Sequence, residues 1–552
     1  MLTADPDADL ELSLAEWRRY RRRKRLADIH WIDAMYQAYM TAIFSAVALY
    51  LLAAAVGDGP RSANQLARVV AEGGDWLGAV VAVALATGLR SGSRGGPLAL
   101  ERAEVRHVLL APVDRTAAVR GPVLRRLRFL VFVASVVGVV AGLLASRRLE
   151  HHAVVWMACG ALFAVSVVVL AYGAALCASA GRLPPWLGTV ISIGLGALAV
   201  ADGLNLVNGS PLTAWGRIGL WPEDFSMLGL AAMAVSLGVL CVGLARVGDL
   251  SVEAAERRST LVGQLRFAAT LQDLRTVIVL RRQLAMELPR LRPWVRLGVR
   301  GTGWFPVWTR GWRGVLRWPA ARVGRMVLLA VAAGLAQRGV WAGTTPLLAV
   351  AALALYVAGL DAVEPLAQEI DHPTRSRSVP IERSAIHLRH LPVGVAVMVA
   401  VAAVAATAGL LVEPSLGGLA VSAICVVPAA MGSVAGAATS VLSGMPEVAG
   451  GDAWSLVPPE VAGMRIVVRA VWPPALATLG TLPVLAARAA ADNGRPAASA
   501  AGAAAVGVVA VFVLVAGWVR TRDRLHAWWK AAMDQMFPEG KARAQEGTAH
   551  AA

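Results

Sequence analysis

Charged residues, and lysine above all, are scarce in this sequence of 552 residues. Asp, Glu, Lys and Arg make up 16% of the chain, whereas soluble domains average about 25%, so a soluble protein of this length is excluded. Lysine occurs only at Lys24, Lys530 and Lys541, and nearly all the basic charge is arginine, which is typical of a GC-rich bacterial genome. None of these lysines completes a GxxxxGK[ST] loop, so the chain cannot hydrolyse ATP with a P-loop.

Cysteine is also rare, and metal-binding patterns are missing. The four cysteines have no CxxC spacing and fall inside apolar runs, at Cys159, Cys177, Cys241 and Cys425. We expect them to be small core residues rather than ligands or disulfide partners. There is no HExxH and no EF-hand loop, and His151 and His152 have no third ligand nearby in the sequence. We therefore expect no metal, no cofactor and no enzyme activity in this chain.

Long apolar runs dominate the sequence instead. Hydrophobic residues make up 57% of the chain, and the mean hydropathy is +0.59. Apolar runs of about 18 residues or more predict transmembrane helices. The sequence predicts an all-α polytopic membrane protein with about twelve spans, at 38–56, 74–91, 127–146, 153–178, 186–204 and 226–245, then 323–338, 346–363, 391–412, 417–440, 466–487 and 498–519. The second and seventh are short for a bilayer core of about 30 Å.

The distribution of arginine predicts the orientation. A basic run from Arg18 to Arg25 precedes the first span, and it places the N-terminus in the cytoplasm. Alternation then puts the arginine-rich stretches 92–126, 246–322 and 364–390 inside, together with the tail. We expect a protein of the inner or plasma membrane with both termini cytoplasmic and no cleaved signal peptide. A net charge of +17 could also indicate nucleic acid, but in a membrane protein it favours cytoplasmic loops, so we expect a lipid bilayer and no nucleic acid as the partner.

One polar pattern occurs twice. The first polar segment, residues 103–121, reads AEVRHVLLAPVDRTAAVRG, and the second polar segment, residues 368–390, reads QEIDHPTRSRSVPIERSAIHLRH. Each carries an acidic residue, a histidine three positions later, and then Pro, aliphatic, acid, Arg, hydroxyl and Ala. Each follows the second span of its half and leads into the third, and a Pro-Pro pair follows the fourth span of both halves. The pattern predicts a tandem duplication into two parallel six-helix repeats.

Two interpretations of the polar segments are open. In the first, proline starts a turn, the acid caps the next helix, and arginine contacts lipid phosphates. In the second, a short helix with fixed charges lies along the membrane surface and transmits movement from a cytosolic partner into the helices.

The stretch ALERAEVRHVLLAPVDRTAAVRGPVLRRL resembles the cytoplasmic loop of type-2 ABC exporter permeases. In that family an acidic residue precedes LLxxPVxRxxxxxxxxL between the second and third spans. The resemblance covers this stretch and the span layout. It implies an ATP-driven exporter that moves its substrate by alternating access, with a separate ATPase subunit whose grooves receive the cytoplasmic loops. Most permeases of the family are six-span chains that dimerise, whereas this chain holds both halves, so we expect either a monomeric pseudo-dimer or one partner of a larger assembly.

The resemblance also implies which residues contact the ATPase. The first set of coupling-loop candidates is Glu104, Pro112, Asp114, Arg115 and Arg120, and the second is Glu369, Pro380, Glu382, Arg383 and Arg389. Two other functions stay open: a twelve-span ion-coupled carrier, which also has parallel halves, and a membrane scaffold without a transport cycle. Proton-coupled carriers use carboxylates inside the membrane. Here Asp202 and Asp361 are placed near span ends, which argues against a carrier.

The segment between the halves is basic and rich in tryptophan. Five tryptophans alternate with arginine, namely Trp294, Trp304, Trp308, Trp312 and Trp318. Interleaved Trp and Arg can bind single-stranded nucleic acid, but directly before a span they favour the lipid headgroup boundary. The predicted domains are a basic N-terminal segment, a first six-span half, a linker with interfacial helices, a second half and a cytoplasmic tail, at 1–37, 38–245, 246–322, 323–519 and 520–552.

Overall fold

The computed structural model confirms an all-α fold. It describes residues 63–98, 115–147, 152–203, 209–249, 290–298, 305–371, 381–443 and 471–536, with a few isolated positions. Every regular element within these ranges is helical. The chain divides into two compact units, Met1–Arg266 and Phe267–Ala552. The boundary between them falls inside the predicted linker.

The described residues of the first unit form five long helices and one short one. They are α1 (Ala63–Gly92), α2 (Arg115–Ser146), α3 (Ala153–Ala180), α4 (Pro185–Gly203), α5 (Pro211–Ile218) and α6 (Met227–Ala245), followed by a 3-10 turn at Val247–Asp249. The start of the short helix α5 is well defined: the Ser210 hydroxyl accepts a hydrogen bond from the Leu212 amide, and Pro211 occupies the first helical position.

In the described residues of the second unit, an amphipathic helix is followed by six apolar segments. Its helices are α7 (Phe305–Val315), α8 (Ala320–Trp341), α9 (Leu347–Ala362), α10 (Glu364–Asp371), α11 (Arg383–Val412), α12 (Leu416–Ser443), α13 (Val471–Leu479), α14 (Leu482–Asp492) and α15 (Ala497–Met536). The final helix, α15, is 40 residues long.

Eleven of the twelve predicted spans have a counterpart. Nine of the described helices are long and apolar enough to cross a membrane. Two bent pairs supply the others: α9 and α10 meet at 53°, and α13 and α14 meet at 46°. The short second and seventh predictions lie within α1 and α8, whereas the first, 38–56, lies outside the described residues. The protein is a multi-pass membrane protein, and lipid-facing residues such as Phe132 and Leu514 are exposed on its helices.

The helices around the fourth span of each half pack alike in the two units. In the first unit α3, the fourth predicted span, contacts α1, α2 and α6. In the second unit α12, the tenth span, contacts the three equivalent helices, α9, α11 and α15. The helix of the third span in each unit also contains an internal proline, Pro122 in α2 and Pro392 in α11. A tandem duplication predicts this agreement.

Close helix crossings depend on glycine at equivalent places. Where α1 crosses α3, a Cβ atom at Gly88 would lie 2.3 Å from the carbonyl oxygen of Ala171. Where α9 crosses α12, a Cβ atom at Gly359 would lie 2.8 Å from the carbonyl oxygen of Ser433. Both distances are shorter than van der Waals contact, so each crossing requires a residue without a side chain. Small residues of this kind let helices approach closely in lipid.

The cysteines only partly follow the prediction. All four are free: Cys159 and Cys425 are buried, Cys177 is half-buried and Cys241 is exposed. The core assignment was therefore wrong for Cys241, which lies on a face of α6 that a hydropathy pattern cannot distinguish from the buried face, because both faces are apolar.

Candidate functional site

The described part of the first polar segment presents two exposed arginines. Arg115 is the first residue of α2, and Arg120 lies in its second turn. Glu104, Pro112 and Asp114 lie outside the described residues. The arginines are accessible to lipid phosphates or to a partner protein.

The second polar segment begins its helix in the equivalent way. Arg383 is the first residue of α11, as Arg115 is of α2. Arg389 follows, and both arginines are half-buried, while Pro380 lies outside the described residues. The register drawn from the sequence therefore agrees with the helix starts in both units.

Glu382 occupies the N-cap position of α11, but its side chain does not cap the helix. It accepts a hydrogen bond from Arg520 Nη1 at 2.6 Å and from Arg524 Nη2 at 3.2 Å, both on α15. Arg520 Nη1 also donates to the Ser384 hydroxyl at 3.1 Å. The capping role is therefore wrong at this position, because two guanidinium groups compete successfully for the carboxylate.

The same contacts change the acidity of this carboxyl group. Hydrogen bonds from Arg520, and then from Ser384 and Arg524, hold the pKa of Glu382 below its usual value, because they stabilise the ionised form. At neutral pH the ionised Glu382 therefore links the start of α11 to α15 through Arg520 and Arg524.

Glu369 lies in a different environment from the one expected. The sequence places it in a surface loop, but the structure places it in the helix α10 with its side chain only 3% exposed. It forms an ion pair with Arg310 of α7, and one carboxylate oxygen lies 3.7 Å from His390 Nε2 of α11. A buried carboxylate needs such partners to offset its desolvation. Glu369 therefore joins three helices, and its coupling role stays a prediction.

The described tryptophans of the linker make two separate pairs of contacts. Trp308 and Trp312 on α7 are in edge-to-face contact, with ring centroids 5.8 Å apart. Trp318 is buried, and its carbonyl oxygen accepts a hydrogen bond from Trp294 Nε1 at 3.1 Å. The Arg290 guanidinium lies 3.7 Å from the centroid of the Trp294 ring. The location of these tryptophans at the lipid headgroups stays a prediction.

Trp304 lies outside the described residues, as do residues 250–289 of the linker apart from Glu256. Gly311 of α7 faces the second polar segment, since a Cβ atom there would meet Val393 Cγ2 at 2.9 Å and His390 Nδ1 at 3.4 Å. The amphipathic helix α7 thus packs directly against the start of α11.

Two ion pairs were missed by sequence reasoning. Arg325 of α8 donates to Asp361 Oδ2 of α9 through Nη2 at 2.9 Å and Nε at 3.2 Å. Arg338, near the end of α8, pairs with Glu413, just after α11. The available signal was an arginine inside an apolar run, since such residues usually have a partner. Spacing alone could not identify that partner.

Carboxylates in the first unit are held by hydroxyl groups. Thr213 Oγ1 donates to Asp75 Oδ1 at 2.9 Å, which links α5 to α1. Asp202, near the end of α4, accepts a hydrogen bond from the Ser210 hydroxyl. Asp202 and Asp361 are close to helix ends, as the sequence predicts, but both are buried. The argument against a carrier from span position is correspondingly weaker.

The charged groups described above lie mainly at contacts between helices. Within the described ranges, no group of three or more His, Cys, Asp or Glu side chains is placed to hold a metal ion. The charged contacts instead join helix ends to one another. No protein family, no characterised protein and no solved structure matches the chain. Its class, a multi-pass all-α membrane protein, rests on its own helices.

Proposed function

We propose that the protein is the membrane-spanning permease of an ATP-driven exporter, which works by alternating access with a separate ATPase subunit. One observation carries the proposal: the same polar pattern leads into α2 and α11, and Arg115 and Arg383 are the first residues of these helices. A docking surface used twice by a pair of ATPase domains would have this placement.

Movement of the second polar segment would be transmitted directly to α11 and α15. Glu382 is held by Arg520 and Arg524 of α15, and α11 packs along α15. A displacement of the segment therefore acts on two long helices together. Arg115 and Arg120 are exposed, which suits a surface that contacts a partner.

The proposed topology follows from the arginine distribution. Both polar segments and both termini would face the cytoplasm of a bacterial inner or plasma membrane. Because the chain holds both halves, a single copy would form the pseudo-dimer that receives the ATPase. The exported substrate is not specified by these contacts.

Co-purification tests the proposal. The full-length protein is purified from its own cells in mild detergent, and proteins that accompany it are identified by mass spectrometry. We expect an ABC ATPase with the wild type, and its loss with Arg115→Glu, because charge reversal repels the docking groove. The matched control is Arg495→Glu, in a loop predicted to be external. An ATPase retained equally by both variants, or absent from the wild type, would contradict the proposal.

A second candidate is an ion-coupled carrier, and one observation favours it. Asp361 is a buried carboxylate inside an apolar helix, paired with Arg325, and such pairs mark ion pathways in carriers. Transport into vesicles separates the two functions. Uptake driven by a proton gradient without any ATPase would establish the carrier. Uptake that requires ATP and the partner would establish the exporter.

A further inference from the structure

A groove in the second unit is lined mainly by small apolar residues. It lies among α8, α9, α11, α12 and α14 and is open at its mouth. Its walls include Gly334, Leu355, Ala402, Ala405, Ala406 and Ala429. The small residues leave room along these walls for a slender apolar group, although Trp341, Leu355 and Leu410 also line the groove.

One end of the groove is charged. Arg338, Glu413 and Ser415 line it where α8 and α11 end and α12 begins. Arg338 pairs with Glu413 through Nη2. Its Nη1 atom is buried and has no hydrogen-bond partner among the described residues. The Glu413 side chain is 59% exposed. The charged end therefore offers one buried donor and one accessible carboxylate.

The depth of the groove matches half a bilayer. Ala402 lies ten residues before Val412, the last residue of α11, and Ala429 lies thirteen residues after Leu416, the first of α12. At 1.5 Å per residue these positions are roughly 15 and 20 Å from the helix ends. One leaflet contributes about 15 Å to a hydrocarbon core of about 30 Å. The groove is polar at the level of the helix ends and apolar to the depth of one acyl chain.

We propose that this groove binds an aminophospholipid of the phosphatidylethanolamine type. An acyl chain lies against the small residues, the phosphate accepts hydrogen bonds from Arg338, and the ammonium group contacts Glu413. Guanidinium is well suited to phosphate, and a buried unpaired donor gains most from an acceptor. Glu413 would repel an anionic headgroup that lacks an amine. The site is independent of the proposed transport function.

Headgroup selectivity of the wild-type protein is the first test. Full-length protein is delipidated in detergent, phosphatidylethanolamine or phosphatidylglycerol is added, and bound lipid is measured by native mass spectrometry. We expect phosphatidylethanolamine to bind about tenfold more tightly, the equivalent of one additional charge-assisted contact. Equal binding of the two lipids, or no retained lipid, would overturn the proposal without any variant.

Filling the groove is the second test. Ala406→Trp places a large ring in the groove, whereas Ala403→Trp, on the same helix, places it on an exposed face that does not line the groove. We expect Ala406→Trp to lower phosphatidylethanolamine binding at least about tenfold and Ala403→Trp to leave it near the wild-type level. Equal binding by the two variants would place the lipid elsewhere.

The two charged residues are tested separately. Arg338→Gln should weaken binding of both lipids by about tenfold, because it removes the charged donor to phosphate. Glu413→Gln should leave phosphatidylethanolamine bound but remove its advantage over phosphatidylglycerol. Unchanged selectivity in Glu413→Gln would contradict recognition of the amine.

Discussion

In the described residues, the helices around the fourth span of each half pack alike in the two units, but the polar contacts between helices differ in kind. In the first unit Asp75 and Asp202 accept hydrogen bonds from hydroxyl groups. In the second unit ion pairs join separate helices, for example Arg310 with Glu369 and Arg325 with Asp361. Among the described residues, the contacts of the fourth and tenth spans therefore correspond, while the polar contacts named here differ in kind.

The two kinds of polar contact should differ in how much they contribute to the free energy of unfolding. Removing one partner of a buried ion pair leaves an uncompensated charge, which costs about 3–5 kcal/mol. Removing a hydroxyl that donates to a carboxylate costs about 1–3 kcal/mol. We therefore expect the second unit to be the more sensitive to charge removal.

The largest effect is expected from Asp361→Asn in the second unit. The change leaves Arg325 without its countercharge between α8 and α9, and we expect a loss of about 3 kcal/mol in the free energy of unfolding. The measurement is denaturant unfolding of the full-length protein in mixed micelles. Asp492→Asn is the control, because its pair with Arg488 is exposed and should contribute under about 0.5 kcal/mol. Equal losses would contradict the contrast between the units.

The helix crossings at Gly88 and Gly359 test the packing that the two units have in common. Gly88→Ala and Gly359→Ala each force a methyl group against a backbone carbonyl, and the closer contact is at Gly88. We expect losses of about 2 and 1 kcal/mol respectively, measured by the same unfolding assay. Gly502→Ala, with nothing within 4 Å of the new methyl group, should be nearly neutral. A neutral result at either crossing would remove it from the shared packing.

A smaller effect is expected for the first unit's hydroxyl contact. Thr213→Val keeps the shape of the side chain but removes the donor to Asp75. We expect a loss of about 1 kcal/mol, clearly below that of Asp361→Asn, in thermal unfolding followed by circular dichroism. A loss as large as that of Asp361→Asn would mean that hydroxyl and ion-pair contacts are equivalent here.

The smallest effect concerns pH and the second polar segment. The pKa of Glu382 is lowered in the folded protein, chiefly by its hydrogen bond with Arg520. Its stabilising contribution is therefore present above the unfolded pKa of about 4.3 and is lost as the pH falls through the lower folded pKa. We expect Glu382→Gln to be less stable than the wild type at pH 7, with the difference vanishing at strongly acidic pH. A difference that is independent of pH would contradict this contact.

Much of the fold could be predicted from the sequence because lipid imposes simple rules. Apolar runs located eleven of the described spans, since only hydrogen-bonded helices satisfy the backbone in lipid. The errors lie at the polar ends: α2 begins at Arg115 and α11 at Arg383, well before the apolar residues begin. Hydropathy detects where a helix meets lipid, whereas hydrogen bonding of the backbone continues through the arginines.

The candidate site was only partly predictable. The repeated pattern correctly indicated that Arg115 and Arg383 are equivalent positions. It could not show that Glu369 is buried against Arg310 or that Glu382 binds Arg520, because these partners are far apart in the chain and no local spacing connects them. Contacts of this kind depend on how helices pack, and many pairings suit one sequence.

Helix α15 has a geometric consequence. With 40 residues it is about 60 Å long, twice the hydrocarbon thickness of about 30 Å. A large part of this rod therefore projects beyond the bilayer, on the side where Arg520 and Arg524 hold Glu382. A sideways force on the projecting turns would tilt the part of α15 that lies in the membrane. These turns are therefore a site where a force applied from outside the lipid would reach the membrane helices.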